Sequence, residues 1–241
     1  MSEYIWNPKV KGSGIITCIP QRGLCPNNCS DCFFQSGRSY LEPLKDNLPQ
    51  IPSLELAKGR VVRINDGNDS NNQRLLVMKT ADQFNDYFFN TAIPENLEDF
   101  IAPIVLTLNP GDMTDKSFHK LNLIPKNLMF VRFRANMWNI GLLYEAVAYY
   151  SSQKVPIVIT FMAYYTETMP EEDKQYYEWK KRTLNSYWVL KKEAVNSIID
   201  TYKENPYVYS CGVKGQHACN FCGNCIREYY NTKERLKEAS C

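Results

Sequence analysis

No stretch of this 241-residue chain approaches the ~18 consecutive apolar residues that a membrane-crossing helix requires. The N-terminal segment MSEYIWNPKVKGSG also carries no apolar core of the kind that directs secretion. The expected protein therefore has no membrane partner, and its expected compartment is the cytoplasm. An excess of charge of one sign is missing too. The 28 Lys and Arg residues against 26 Asp and Glu leave a net charge of +2, so there is no broad electrostatic footprint for nucleic acid or a lipid surface. Internal repeats, low-complexity tracts and linker-like segments are likewise absent. What remains is an ordinary globular composition, 44% hydrophobic and 22% charged, with 16 Tyr and 11 Phe to fill a core or line an aromatic pocket. A chain of this length can bury one large domain.

Cysteine is the one abundance, at nine residues. Disulfides suit exported chains, whereas an odd number of cysteines in tight groups fits metal binding better. One group, Cys25, Cys29 and Cys32, lies in GLCPNNCSDCFFQ. The other, Cys211, Cys219, Cys222 and Cys225, lies in CGVKGQHACNFCGNC. Cys18 and Cys241 stand apart and are read as ordinary thiols.

Between the two groups, short β-rich runs alternate with helical ones. Strands are expected at 14–19, 60–65, 86–91, 103–109, 127–134 and 155–162. Apolar residues three and four apart predict helices over 73–84, over 141–153 and, as one or two helices, across 171–205. A further amphipathic helix, read as packing, follows from Ile226. Alternating strands and helices argue for right-handed βαβ units and a parallel sheet. Six such units predict an α/β fold, a partial (β/α)6 TIM-like barrel, although periodicity alone does not separate this from a doubly wound sheet. The expected division is a barrel over 1–205 and a cysteine-rich extension over 206–241.

Strand parity locates polar groups inside that barrel. Along the fifth strand Met129, Val131 and Phe133 face the helices, while Phe130, Arg132 and Arg134 face inward. Buried arginines are rare unless paired. Either a carboxylate such as Asp66 or Asp112 pairs with them, or they form an anion site for a ligand carboxylate or phosphate, which guanidinium binds in bidentate fashion. The two readings can coexist. Thr107 and Asn109 share one face of the fourth strand, and Thr160 and Met162 one face of the sixth. Barrel enzymes place their sites at such C-terminal strand ends.

Cys25-x3-Cys29-x2-Cys32 directly follows the first strand, in a loop turned by Pro26, Asn27 and Asn28. Three thiolates can each hold one iron of an iron–sulfur cube, leaving the fourth iron without a protein ligand. A structural zinc would instead need a fourth ligand from afar. This motif, after the first strand of a βα barrel, resembles that of the radical S-adenosylmethionine superfamily. The resemblance implies a [4Fe–4S] cluster whose open iron chelates S-adenosylmethionine. It further implies reductive cleavage to a 5′-deoxyadenosyl radical, hydrogen abstraction from a substrate, and an external one-electron reductant such as flavodoxin or ferredoxin. Where the superfamily has an aromatic residue before the third cysteine, this chain has Asp31, followed by Phe33 and Phe34. Where the superfamily has a glycine-glycine-glutamate turn after the second strand, this chain has NDGND. There Asn65, Asp66 and Asn68 offer oxygens and Gly67 the tight turn. Phe33, Asn65, Asp66, Gly67, Asn68, Asn109, Arg132 and Arg134 are thus the candidate cofactor-binding residues.

The four cysteines of the second group can ligate a complete auxiliary [4Fe–4S] cluster, with His217 as a possible substitute ligand. If only three bind, an open iron there contacts substrate. Zinc held by four cysteines uses comparable spacings. The resulting expectation is a radical enzyme acting on a small molecule, a nucleotide or a peptide, tilted toward a carboxylate- or phosphate-bearing one if the inner arginines lack protein partners. Two other classes stand beside it: a non-enzymatic zinc-binding nucleic-acid adaptor, and a two-cluster electron-transfer protein. Near-neutral charge argues against the adaptor. A three-cysteine site beside a large α/β domain is unexplained by electron transfer alone.

Overall fold

Among the described residues ten strands form, namely β1 (Ile15–Cys18), β2 (Val61–Ile64), β3 (Tyr87–Thr91), β4 (Ile104–Thr107), β5 (Leu128–Ala135), β6 (Ile157–Phe161), β7 (Ala163–Tyr164), β8 (Tyr177–Lys180), β9 (Tyr187–Leu190) and β10 (Val208–Ser210). They are interleaved with α1 (Leu44–Asn47), α2 (Leu54–Ala57), α3 (Arg74–Ala81), α4 (Ile140–Ser152), α5 (Lys192–Thr201), α6 (Cys219–Cys222) and α7 (Asn224–Glu238). The computed structural model describes residues 3–29, 32, 34–35, 39–108, 117–161, 163–164, 169–181, 186–212 and 218–239. Asp31, Phe33, Asn109, Asp112, Met162, His217 and Cys241, all considered from sequence, lie outside those residues.

The first six strands form where β-branched and aromatic runs predict them. Together with β10 they make a seven-stranded sheet in the order β1-β2-β3-β4-β5-β6-β10. Every adjacent pair is parallel. The protein is therefore α/β around a parallel sheet. Among the described residues β1 and β10 are its two edges and do not pair, so the sheet is not closed. A strictly sequential order with crossovers of one hand places the connecting helices on a single face. The packing agrees: Val62, Ile64, Phe89, Leu106, Val131, Phe133, Ile157 and Ile159 share one buried cluster with Val77 of α3, Leu143 and Tyr150 of α4, and Ile198 of α5.

The opposite, inner face belongs to the C-terminal helix. Val61, Phe88, Val105, Phe130 and Val158 pack there with Tyr229 of α7. The Tyr229 hydroxyl donates to Asp86 Oδ1 at 2.8 Å, and Arg235 Nη2 donates to the Leu128 carbonyl at 2.7 Å. The buried residues of α7 are Asn224, Glu228, Tyr229 and Thr232, a stripe at helical spacing. The expectation that this helix packs agrees with that placement.

Met129 departs from the expected parity. The register between β4 and β5 slips at Ile104/Val105, pairing Ile104 with Leu128 but Val105 with Phe130. A bulge of this kind lets two successive residues oppose one and turns a side chain to the other face. Met129 accordingly packs with the inner cluster, while Phe130, Arg132 and Arg134 keep the expected inward phase.

The segment 171–205 is only partly helical. β8 and β9 pair antiparallel and, with β7, form a second sheet in the order β7-β9-β8. YEWK and YWVL are rich in strand-favouring aromatic and branched residues. Trp179 and Trp188 are register partners, and their ring centroids stand 5.1 Å apart, the kind of cross-strand pair that stabilises a sheet. Among the described residues of this segment only α5 meets the helical expectation. The 206–241 segment, for its part, begins with a strand of the main sheet: Ile157 N–H bonds Tyr207 O at 2.7 Å and Cys211 N–H bonds Ile159 O at 2.8 Å. Among the described residues no helix is long and apolar enough to cross a membrane.

Candidate metal centres at the strand ends

β1 ends at Cys18, and Ile19 then exchanges backbone hydrogen bonds with Gln50 at 2.8 and 2.9 Å. That bridge pins the chain where it leaves the sheet for the first cysteine loop. The charges of Cys29 and Cys32 act on Cys25, so the loop gathers its three thiols, and burial pushes the Cys25 thiol up to about 11. The support comes from the turn after β2. Asn72 Nδ2 donates to Cys25 Sγ at 3.4 Å and to Asn27 Oδ1 at 2.9 Å. Gln21 Nε2 donates to the carbonyls of Asp69 and Asn72 at 2.9 and 2.8 Å.

Asp69 is the hub of this support. Its carboxylate accepts from Ala92 N–H at 2.6 Å, Thr91 Oγ1 at 2.7 Å, Asn71 N–H at 2.9 Å and Asn27 Nδ2 at 3.1 Å. Burial pushes its carboxyl up, and these four donors oppose that shift. Sequence reasoning stopped one residue short, at Asn68. The signal was present in the same Asp/Asn-rich stretch, DGNDSNN, whose side chains readily bond nearby backbone.

Within that turn the candidate residues divide. Asn65 adopts a left-handed φ of 61°, donates its N–H to Cys18 O at 2.7 Å and its Nδ2 to Ser70 Oγ at 3.2 Å. Its buried Oδ1 has no partner among the described residues. Gly67 lies flat on an aromatic ring, since a Cβ there would stand 2.2 Å from Phe34 Cδ2. Asn68 Oδ1 accepts from Asp69 N–H at 2.8 Å. Asp66 is already engaged: Oδ1 is ion-paired with Arg63 Nη2 and Oδ2 accepts from Asn7 Nδ2. The expected partnership of Asp66 with Arg132 or Arg134 is therefore replaced by one with Arg63, three residues earlier on β2.

The second cysteine group wraps the end of the last strand. Cys211 directly follows β10, Cys219 and Cys222 bound α6, and Cys225 lies in the first turn of α7. Gly223, at φ 63°, makes the left-handed joint between the two helices. The Cys211 thiol hydrogen-bonds Cys222, pulling the latter down to about 5 while Cys211 itself is raised. Burial raises Cys219, and Arg63 opposes that rise; its Nη1 stands 4.0 Å from Cys219 Sγ. A groove of about 590 Å³, lined by Lys192, Asn196, Asp200, Tyr209 and Asn224, reaches Cys222 from the α5 side.

Arg132 and Arg134 project from β5 on this same inner face. Arg132 donates to Asn90 Oδ1 at 3.3 Å and Thr107 Oγ1 at 3.4 Å, and no described carboxylate pairs with it. Arg134 is in register with Thr160, whose buried Oγ1 has no partner among the described residues.

All eight described cysteines are free thiols. Among the described residues no three His, Cys, Asp or Glu side chains converge as a single-ion site. Zinc draws its thiolates to about 2.3 Å of one ion, whereas an iron–sulfur cube gives each thiolate its own iron and spaces them farther apart. Comparison with family models, with curated proteins and with solved structures returns no match for this chain.

Proposed function

We propose that the protein is a radical S-adenosylmethionine enzyme whose open parallel sheet forms the wall of a partial barrel. The observation that carries this reading is the position of three free thiols on the loop leaving the first strand of a sequentially ordered parallel sheet. Cys25, Cys29 and Cys32 would hold a [4Fe–4S] cluster. Cys211, Cys219, Cys222 and Cys225 would hold a second, fully ligated one. When bound, the first cluster and S-adenosylmethionine supply one-electron reductive cleavage and a 5′-deoxyadenosyl radical that removes hydrogen from substrate.

The residues present suit that pair of cofactors. Asn65 Oδ1, buried without a donor, can accept a hydrogen bond from an ammonium group at the end of β2. Asn72 and Asp69 fix the cysteine loop against β3. Phe34 and Gly67 exclude water beneath the turn. Glu228 and Tyr229 close the far end of the inner face, so a substrate enters from the C-terminal strand ends.

Anaerobic reconstitution tests this. About eight irons per chain are expected for two cubes, and dithionite should convert S-adenosylmethionine to methionine and 5′-deoxyadenosine. Cys29→Ala should lose about half the iron and all cleavage. Zinc in place of iron, or cleavage that survives Cys29→Ala, overturns the assignment.

A further inference from the structure

Two cations on the inner face, Arg63 buried and Arg132 half-buried, lack a full complement of partners. Arg63 is 9% exposed; it shares Nη2 with Asp66 and turns Nη1 toward Cys219 Sγ, and its Nε has no acceptor among the described residues. Among the described residues Arg132 hydrogen-bonds only neutral oxygens, at 3.3 and 3.4 Å. Desolvating a guanidinium is unfavourable unless its donors are matched, so the open Arg63 Nε and an Arg132 without a carboxylate favour a further negative group on this face.

The geometry identifies what that is. Arg132 is in register with Val158, and Val158 with Tyr209. Cys211 lies two residues beyond Tyr209, and side chains two apart on a strand share a face. Tyr209, Cys211 and Cys225 all pack on the inner cluster. Arg63 thus approaches the four-cysteine group at Cys219, and Arg132 lies on the row of the sheet that leads to Cys211. Four thiolates around a cationic metal core leave a net negative charge, which two guanidinium groups can balance inside a low-dielectric wall.

We propose that Arg63 and Arg132 are the counter-charges of the second metal centre and raise its reduction potential, so that Arg132 is a positioning residue for that centre rather than a ligand for a substrate anion. This rests on the second cysteine group being a metal centre, as proposed above. Charge and hydrogen bonds around cluster sulfurs are recognised determinants of potential.

The test uses the full chain with Cys25, Cys29 and Cys32 changed to serine, so that any signal arises from the second centre alone. In an EPR-monitored redox titration, Arg132→Met should shift the one-electron equilibrium about tenfold toward the oxidised form, equivalent to about 59 mV. Arg132→Lys, which keeps the charge, should stay within about threefold. Urea unfolding supplies a second readout whose sign reverses with metal. Arg132→Met should equal or exceed the parent in the metal-free chain, where a half-buried cation without a carboxylate partner has been removed, and fall below it when metal is bound. A metal-loaded Arg132→Met chain with unmoved potential and unchanged metal-dependent stability overturns the counter-charge role alone. A chain that binds no metal at these four cysteines overturns the centre itself.

Discussion

Cys222 and Cys25 illustrate how two chemically identical thiols are set apart by their surroundings. Cys222 receives the Cys211 thiol hydrogen bond and nearby backbone N–H groups and titrates near 5, while burial holds Cys25 near 11. In the reduced, metal-free protein, iodoacetamide at pH 7 should therefore alkylate Cys222 well before Cys25, since the thiolate is the nucleophile; peptide mapping reads the order. The sign of the stability effect follows. The folded Cys222 value lies below the ordinary 9.0, so the folded chain has released a proton that the unfolded chain retains. Stability of the metal-free protein should rise as pH climbs from about 5 toward 9, and be lost as pH falls through 5. Cys211 is raised, so its contribution declines above pH 9. Urea midpoints across this range, compared with Cys222→Ser, check both limbs. At this scale much was legible: spacing alone selected both thiol groups. Pairing was not. Asp66 was read as offering oxygens to a ligand or pairing with the inner arginines, but its reach to Arg63 depends on how the turn after β2 folds back, and the role of Asp69 depends on Thr91 and Ala92 at the end of another strand.

The turn after β2 shows the same logic at the level of an element. Its backbone passes so close to Phe34 that a methyl group on Gly67 would overlap the ring. Gly67→Ala should lower stability by about 1–3 kcal/mol and reduce iron held by Cys25, Cys29 and Cys32, with Phe34→Leu in the same chain restoring much of both. Chemical denaturation and iron assay would show it, and an unchanged single variant would contradict the contact. The main strands were readable because they are mostly buried on both faces and read as largely apolar, branched and aromatic runs. The 171–205 segment misled because tyrosine and tryptophan spaced along it satisfy helical and strand periods alike. The Trp179–Trp188 pair exists only once both strands have met. β10 was missed because three residues, Val208–Ser210, are too short to show any alternation. The bulge at Met129 leaves no trace in composition.

For the molecule as a whole, the parallel sheet presents one face to its crossover helices and the other to α7. Tyr229 is 1% exposed and packs 6.3 Å from Phe88 between ring centroids. Tyr229→Ala should cost about 3–5 kcal/mol, and Tyr229→Phe, which loses only the hydroxyl's bonds to Asp86 and the Tyr87 backbone, about 1–2 kcal/mol; thermal or urea melts distinguish them. The sequence foretold alternating strands and helices, hence the parallel arrangement. It was silent on which face the terminal helix would take, because an amphipathic stripe specifies burial but names no partner. That choice has a consequence during synthesis. The strands covered by α7 leave the ribosome well before residues 224–238 exist, so the nascent sheet waits with Phe88, Val105 and Phe130 uncovered. If the two cysteine groups hold metal as proposed, the first loop is complete during that interval, whereas the second group assembles only as the helix closes the face, so the two would be loaded in that order.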